Sequence, residues 1–143
     1  MLVKDVMVTD VKTIEQESSV QEAAKEMVKN RVGSLIVVKE TRLVGIVTED
    51  DILKKVVAEN KNPSKVRVKE IMTRKVIMID PNEDLDYALE IMKSKKIKKL
   101  PVVAGNKLIG IVTTTDICMA EPMAIKKLSE LLLIPQDRKI IAG

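Results

Sequence analysis

The sequence predicts a mixed α/β protein made of two copies of one β-α-β-β-α unit, packed through their sheets with pseudo-twofold symmetry. Three observations predict this. Val3-Lys4-Asp5-Val6-Met7 returns as Val68-Lys69-Glu70-Ile71-Met72, an offset of 65, and at the same offset Leu43-Val44-Gly45-Ile46-Val47-Thr48 falls on Leu108-Ile109-Gly110-Ile111-Val112-Thr113. Residues 3–53 align with 68–118 without a gap, and 17 of the 51 pairs are identical, where roughly three follow from composition. Finally, a unit of about 55 residues is too small for a dependable core alone, so the two units must share one structure.

The elements follow in order. A short turn, Lys4–Met7 or Lys69–Met72, precedes a β-rich segment, Val11–Ile14 or Val76–Ile79. The first helix starts at Ser19, with Glu22 three residues on as a capping box. Val20, Ala23, Ala24, Met27 and Val28 keep helical spacing, as do Leu85, Ala88, Leu89 and Met92 in the second copy. A buried strand follows, Leu35–Val38 or Leu100–Val103. A tight turn at Glu40-Thr41-Arg42 or Gly105-Asn106-Lys107 leads into Leu43–Val47 or Leu108–Val112. A closing helix begins just after Thr48 or Thr113. The organisation is repeat one at 1–57, a polar linker at 58–66 containing Pro63, repeat two at 67–120 and a tail at 121–143. In the tail, Pro122 starts a helix, Ile125, Leu128, Leu131 and Leu132 keep its spacing, and Pro135 stops it. It is read as packing on the module or across a dimer, with docking to another protein as the alternative.

Composition narrows the function. The chain has no His, which removes Ser-His-Asp and Cys-His catalysis and imidazole-based zinc sites. Tyr87 is the only aromatic residue, too few for a base-stacking platform. One cysteine, Cys118, cannot make an internal disulfide and reads as core; with no h-region at the N-terminus and no long apolar run, a cytoplasmic protein is expected. Abundant Lys and Glu point to a thermophile, and eight Met point the other way. Met7, Met27, Met72 and Met92 sit at matching positions and read as core or interface. Residues 1–65 carry 11 basic and 11 acidic side chains; residues 66–143 carry 14 and 10, the whole net charge of +4. Five lysines fall between Lys93 and Lys99, so an anionic ligand is expected at the second half.

The chemistry-bearing pattern is Gly-apolar-apolar-Thr-x-x-Asp at a strand-to-helix junction, Gly45 to Asp51 and Gly110 to Asp116. Helix capping accounts for Thr and Asp by itself. A ligand accounts for them equally: free N–H groups and the helix dipole attract an anion, and a carboxylate matches the two vicinal hydroxyls of a ribose. Gly45 and Gly110 allow a close approach by backbone or ligand. The residues alone leave both readings open. Glu49-Asp50-Asp51 does not form a metal site, because adjacent residues on a helix point apart.

The ordered set of these segments, together with Lys99-Leu100-Pro101-Val102-Val103, resembles a tandem pair of CBS domains, a Bateman module, over residues 1–120. The resemblance implies a non-enzymatic regulatory module. It would bind an adenosine-containing ligand (AMP, ADP, ATP or S-adenosylmethionine) in two clefts between the repeats, pair into a homodimer, and signal to a partner protein, with no cofactor required. One cleft, A, would combine Thr48 and Asp51 with Lys75, Val76, Ile77, Ile97, Lys98 and Lys99. The other, B, would combine Thr113 and Asp116 with Asp10, Val11, Lys12, Val32, Gly33 and Ser34. Each Asp would hold the ribose, with adenine between apolar side chains. Lys75, Lys98 and Lys99 make cleft A the expected main nucleotide site, while Lys95 and Lys96 read as a solvated helix end. Ile36 in place of Pro101 alters the shape of cleft B. The alternatives are a dimerisation module with empty clefts and a basic nucleic-acid-binding protein. The single short lysine cluster and the absence of a groove-reading motif argue against the second.

Overall fold

The computed structural model describes residues 1–121 and Ser129; the tail helix read between Pro122 and Pro135 otherwise lies outside the described residues. Repeat one contains a 3-10 turn at Val3–Asp5, β1 (Thr13–Glu15), α1 (Val20–Asn30), β2 (Ser34–Lys39), β3 (Arg42–Thr48) and α2 (Glu49–Ile52), which runs on as a π-helical turn, Leu53–Val57. Repeat two contains α3 (Val68–Ile71), α4 (Leu85–Lys95), β4 (Lys99–Ala104), β5 (Lys107–Thr113) and α5 (Thr114–Ala120). The sheet order is β1-β2-β3-β5-β4. Each hairpin is antiparallel, β1 is parallel to β2, and the two halves join through the single pair Arg42 and Lys107.

Local sequence explains most elements. Ser19 Oγ accepts from Glu22 N–H at 3.1 Å at the start of α1, and Asp84 accepts from Asp86 N–H at 2.9 Å at the start of α4. Each helix ends at a residue in the left-handed conformation, Arg31 and Lys96, so Lys95 and Lys96 close a helix, as the sequence predicts. Val20, Ala23 and Met27 of α1 are buried, whereas Val28 is 79% exposed. It lies one residue, about 100° of helix rotation, past Met27. The first strand also differs between repeats. In repeat one Gln16 N–H donates to the Val38 carbonyl at 3.0 Å. Its equivalent is Pro81, which has no N–H. Pro101, the equivalent of the Ile36 that pairs with Thr13, also lacks an N–H, so pairing is lost on both sides of Ile79 and the predicted strand Val76–Ile79 is reduced to one parallel bridge between Ile79 and Val102.

What binds the halves is an exchange of their opening segments. Val3 N–H donates to the Glu83 carbonyl, Lys4 N–H to Pro81 and Leu85 N–H to Met1, each at 2.9 Å. At the offset of 65, Val68 donates to Ser18 at 2.8 Å, Lys69 to Gln16 at 3.0 Å and Val20 to Val66 at 2.9 Å. Every one of these bonds crosses from one repeat to the other. The cores follow the same rule. Val3 is buried with Ile79, Leu85, Leu89 and Met92 of repeat two, while Val66, Val68, Ile71 and Met72 are buried with Ile14, Val20, Met27 and Leu35 of repeat one. An exposed ion pair, Lys69 to Glu17 at 2.7 Å, spans the same junction, and its ammonium holds the Glu17 carboxyl below the usual carboxylate range.

After the exchange each chain segment returns. Val8 pairs with Ile111 in β5, and β1 pairs with β2; Thr73 pairs with Ile46 in β3, and Ile79 pairs with Val102 in β4. Gly45 and Gly110 stand where these returns begin. A Cβ on Gly45 would lie 2.7 Å from Met72 Sδ and 2.8 Å from the Thr73 carbonyl oxygen; one on Gly110 would lie 2.8 Å from Met7 Sδ and 3.0 Å from the Val8 carbonyl oxygen. The close approach that these glycines permit is by the other repeat's opening segment.

Two outcomes follow. Val3→Ala removes packing from the core of repeat two and Val68→Ala from that of repeat one, each by about 1.5–3 kcal/mol. Hydrogen exchange should show lost protection in α4 for the first and α1 for the second. Gly45→Ala should destabilise by about 1–3 kcal/mol in chemical denaturation. Met72→Ala should restore only part of that loss, because the Thr73 carbonyl remains.

Candidate ligand site

Residues 9–12 span the gap between the Val8–Ile111 pairing in repeat two and β1 in repeat one, so this crossing segment forms a wall between the repeats. Behind it lies a cavity of about 170 Å³. Val11, Val32, Ile36, Ile46, Pro101 and Ile111 supply its apolar walls, and Asp10, Lys12, Ser34, Lys99 and Thr113 its polar groups. Asp10 and Lys12 form an ion pair at 3.2 Å on the exposed side. An apolar cavity of about 150 Å³ accepts benzene, whereas whole drug-sized ligands need roughly 300–1,000 Å³. This cavity therefore suits a ring system, with any attached sugar or charged group outside at the polar rim.

Thr113 belongs both to the rim and to a helix cap. Its hydroxyl donates to Asp116 Oδ2 at 2.7 Å, its N–H donates to the same oxygen at 3.1 Å, and the Asp116 N–H donates back to Oγ1 at 3.1 Å. The same box closes at Thr48 and Asp51, with distances of 3.0, 3.1 and 3.1 Å. Capping is thus fully realised in both repeats. It is also compatible with ligand binding, because the box uses only one carboxylate oxygen. Among the described residues nothing donates to Asp116 Oδ1, so that acceptor is available one turn into the helix behind Thr113. Asp51 Oδ1 is instead paired with Lys55 Nζ at 3.0 Å.

The residues proposed from sequence distribute unequally. Asp10, Val11, Lys12, Val32, Ser34 and Thr113, read as one cleft, line one cavity. Gly33 and Asp116 lie outside it: the Glu49 carboxylate is 3.0 Å from where the Gly33 Cβ would be, and Asp116 reaches the cavity only through its cap bonds to Thr113. Lys99, read with Thr48 and Asp51, lines the cavity beside Thr113 instead. Hairpin register is the reason: Lys99 is the partner of Thr113 across β4 and β5. Thr48, Asp51, Lys75, Val76, Ile77, Ile97 and Lys98 lie outside this cavity. Lys75, Lys98 and Ile77 are exposed. Sequence reasoning missed the walls Ile46 and Ile111, and treated Ile36 and Pro101 only as a difference. The signal was present: these are two offset-65 pairs, and hairpin register sets Ile36 opposite Ile46 and Pro101 opposite Ile111.

Cys118 is partly buried against the core of repeat two, as are Met7 and Ile97. No group of three or more His, Cys, Asp or Glu placed to hold a metal ion occurs among the described residues. No helix among them is long and apolar enough to cross a membrane.

Known proteins share this arrangement. The CBS domain family model matches residues 3–58 and 68–122. The CBS domain-containing protein YhcV of Bacillus subtilis is 34% identical over 117 residues, covering 82% of this chain and 83% of its own. An uncharacterized protein of Methanopyrus kandleri is 37% identical over 123 residues, 85% of this chain; the chain spans 63% of that relative's length. Among solved structures, the CBS domain pair of protein MJ0100, in complex with 5'-methylthioadenosine and S-adenosyl-L-methionine, superposes with a TM-score of 0.71 at 35% identity, over 86% of this chain and 97% of its own. Two matched repeats that cover most of the chain, joined by exchanged opening segments around a shared cleft, place this protein in the CBS-domain family as a tandem CBS-domain pair.

Proposed function

We propose that this module binds an adenosine-type ligand in the cavity between Val11, Val32 and the central strands, and that occupancy is transmitted to a partner protein. The carrying observation is the match between cavity and rim. An apolar space of about 170 Å³ suits the purine ring, Lys99 and Lys12 stand at the rim to meet negative charge, and Asp116, bonded to the rim residue Thr113 through one carboxylate oxygen, keeps a second acceptor for the ribose hydroxyls. The likeness to a CBS domain pair that holds 5'-methylthioadenosine and S-adenosyl-L-methionine supports the ligand class. The sequence-based preference for the Thr48 side gives way to the Thr113 side, because Lys99 stands there and Asp116 keeps an acceptor.

Signalling follows from position. The cavity walls come from both repeats and from the crossing segment, so a ligand favours whichever relative arrangement of the repeats fits it best. The available energy is its differential affinity for the two arrangements. The homodimer implied by the resemblance has a surface on repeat one, where Val28, Leu53 and Val57 are exposed on neighbouring helical turns.

Calorimetry with S-adenosyl-L-methionine, 5'-methylthioadenosine and AMP tests the site. Asp116→Ala should weaken whichever ligand binds about 10- to 100-fold, the worth of a hydrogen bond to a charged group. Lys99→Ala should weaken AMP and leave uncharged methylthioadenosine nearly unchanged. A ligand at 100 times its dissociation constant should stabilise the fold by about 2.7 kcal/mol in thermal melting. No binding and no stabilisation by any of the three would leave the reading as a ligand-free dimerisation module. Light scattering should return twice the 15.9 kDa chain mass; the monomer mass at all concentrations would remove the dimer.

A further inference from the structure

The two hairpins meet at a like-charged pair. Arg42 of β3 and Lys107 of β5 are the single register pair between them, and the Leu108 N–H donates to the Thr41 carbonyl beside it at 3.2 Å. Arg42 is also the partner of Lys39 across the first hairpin. Lys39, Arg42 and Lys107 therefore stand in one row across three adjacent strands, where directly paired residues present their side chains on the same face. At a strand spacing of about 4.8 Å the row spans about 10 Å. Like charges set directly opposite one another destabilise a sheet, and here that happens twice in succession. All three residues are exposed, and none of them forms an ion pair. Glu17, whose carboxyl is held low first by Lys69 and last by Lys39, is already bonded to Lys69. The row borders a groove of about 470 Å³, to which Thr41 and Asn106 add neutral donors and Glu40 the only carboxylate. No residue of this groove lines the ring cavity.

We propose that this groove is a second binding site and that it takes an oligophosphate anion, which bridges the two hairpins. Three cations against one carboxylate leave the groove a net charge of +2. A chain of two or three phosphates sets several negative charges along a line, as the row does positive ones. Arg42 offers a planar fork that takes a phosphate through two parallel bonds, and the lysines meet neighbouring phosphates as point charges. A single carboxylate lacks the charge to engage three cations in a row. Lys39 and Arg42 belong to repeat one and Lys107 to repeat two, so the anion neutralises the repulsion at the one rung between the hairpins. Binding thereby draws together strands that otherwise meet at a like-charged pair. It gives phosphate a hold on the relative placement of the repeats that is independent of the ring cavity.

The test is calorimetry on the full chain at low salt, with inorganic tripolyphosphate as the probe. Wild type should bind one equivalent per chain, and pyrophosphate and orthophosphate should bind progressively more weakly. Arg42→Ala and Lys107→Ala should each weaken tripolyphosphate about tenfold, the lower end for a hydrogen bond to a charged group. Lys29→Ala removes an exposed charge from α1 and should leave binding unchanged. Glu40→Gln removes the opposing carboxylate and should tighten it. Competition by ATP assigns the phosphate chain to a nucleotide, and lack of competition assigns it to an inorganic chain; both keep the groove. No uptake of tripolyphosphate by wild type, or the same affinity in the Arg42, Lys107 and Lys29 variants, would overturn the site. A poly-glutamate peptide bound as tightly as tripolyphosphate would overturn the assignment to phosphate.

Discussion

Val3 and Val68 are buried in cores that belong, by sequence position, to the opposite repeats, and the rest of the structure depends on that exchange. Each opening segment brings backbone donors to the loop before the other repeat's helix and apolar side chains to its core. Neither half can close its core unless the other is present. The hairpins contribute little to this union, since β3 and β5 share only the pair Arg42 and Lys107. The cleft is a product of the same constraint. A chain that has to enter one core and return to its own sheet must cross between the two, and residues 9–12 do so as a wall of the cavity. Gly45 and Gly110 are conformers of one requirement, room for the crossing chain's carbonyl and methionine against a central strand.

The exchange imposes near-symmetry, and a few substitutions on that frame make the halves chemically unequal. Ser34 stands where repeat two has Lys99, Ile36 where it has Pro101, and Lys55 where it has Ala120. The first pair sets Lys99 on one side of the shared cavity and an uncharged Ser34 on the other. The third decides whether the carboxylate behind a helix cap is open or already paired. Ser34 and Lys99 stand at strand starts and Lys55 on an exposed helix surface, whereas Ile36 and Pro101 are buried within their strands. The chemistry of the rims therefore differs between the halves while the exchange that joins the repeats is common to both.

The helix caps are structural, and under the proposed function they share their atoms with a binding role. Thr113 and Asp116 exchange three hydrogen bonds at 2.7–3.1 Å, which locks both rotamers and aims the carboxylate. A preorganised acceptor loses less freedom when a ligand arrives. Capping and the proposed binding at these residues are therefore compatible, since the cap engages one carboxylate oxygen of Asp116 and leaves the second without a donor among the described residues.

Much was legible in the sequence because it is local or periodic. The repeat, its element order, the capped helices and the two hairpins follow from spacing, propensity and the identity of 17 aligned pairs. The group of Asp10, Val11, Lys12, Val32, Ser34 and Thr113 was accessible through the family resemblance, and these residues do line one cavity. Periodicity failed at Val28, where the burying arc of α1 is narrower than its apolar stripe, and strand propensity failed at Val76–Ile79, where Pro81 and the facing Pro101 each remove a ladder donor. The tertiary structure alone decided which core each opening segment enters, because a buried valine carries no label for its partner and both cores present equivalent surfaces. It alone decided that Lys99 stands beside Thr113, through hairpin register. It alone decided that Lys55 reaches Asp51 and Ile71 together, since that contact depends on where the exchanged segment ends in space.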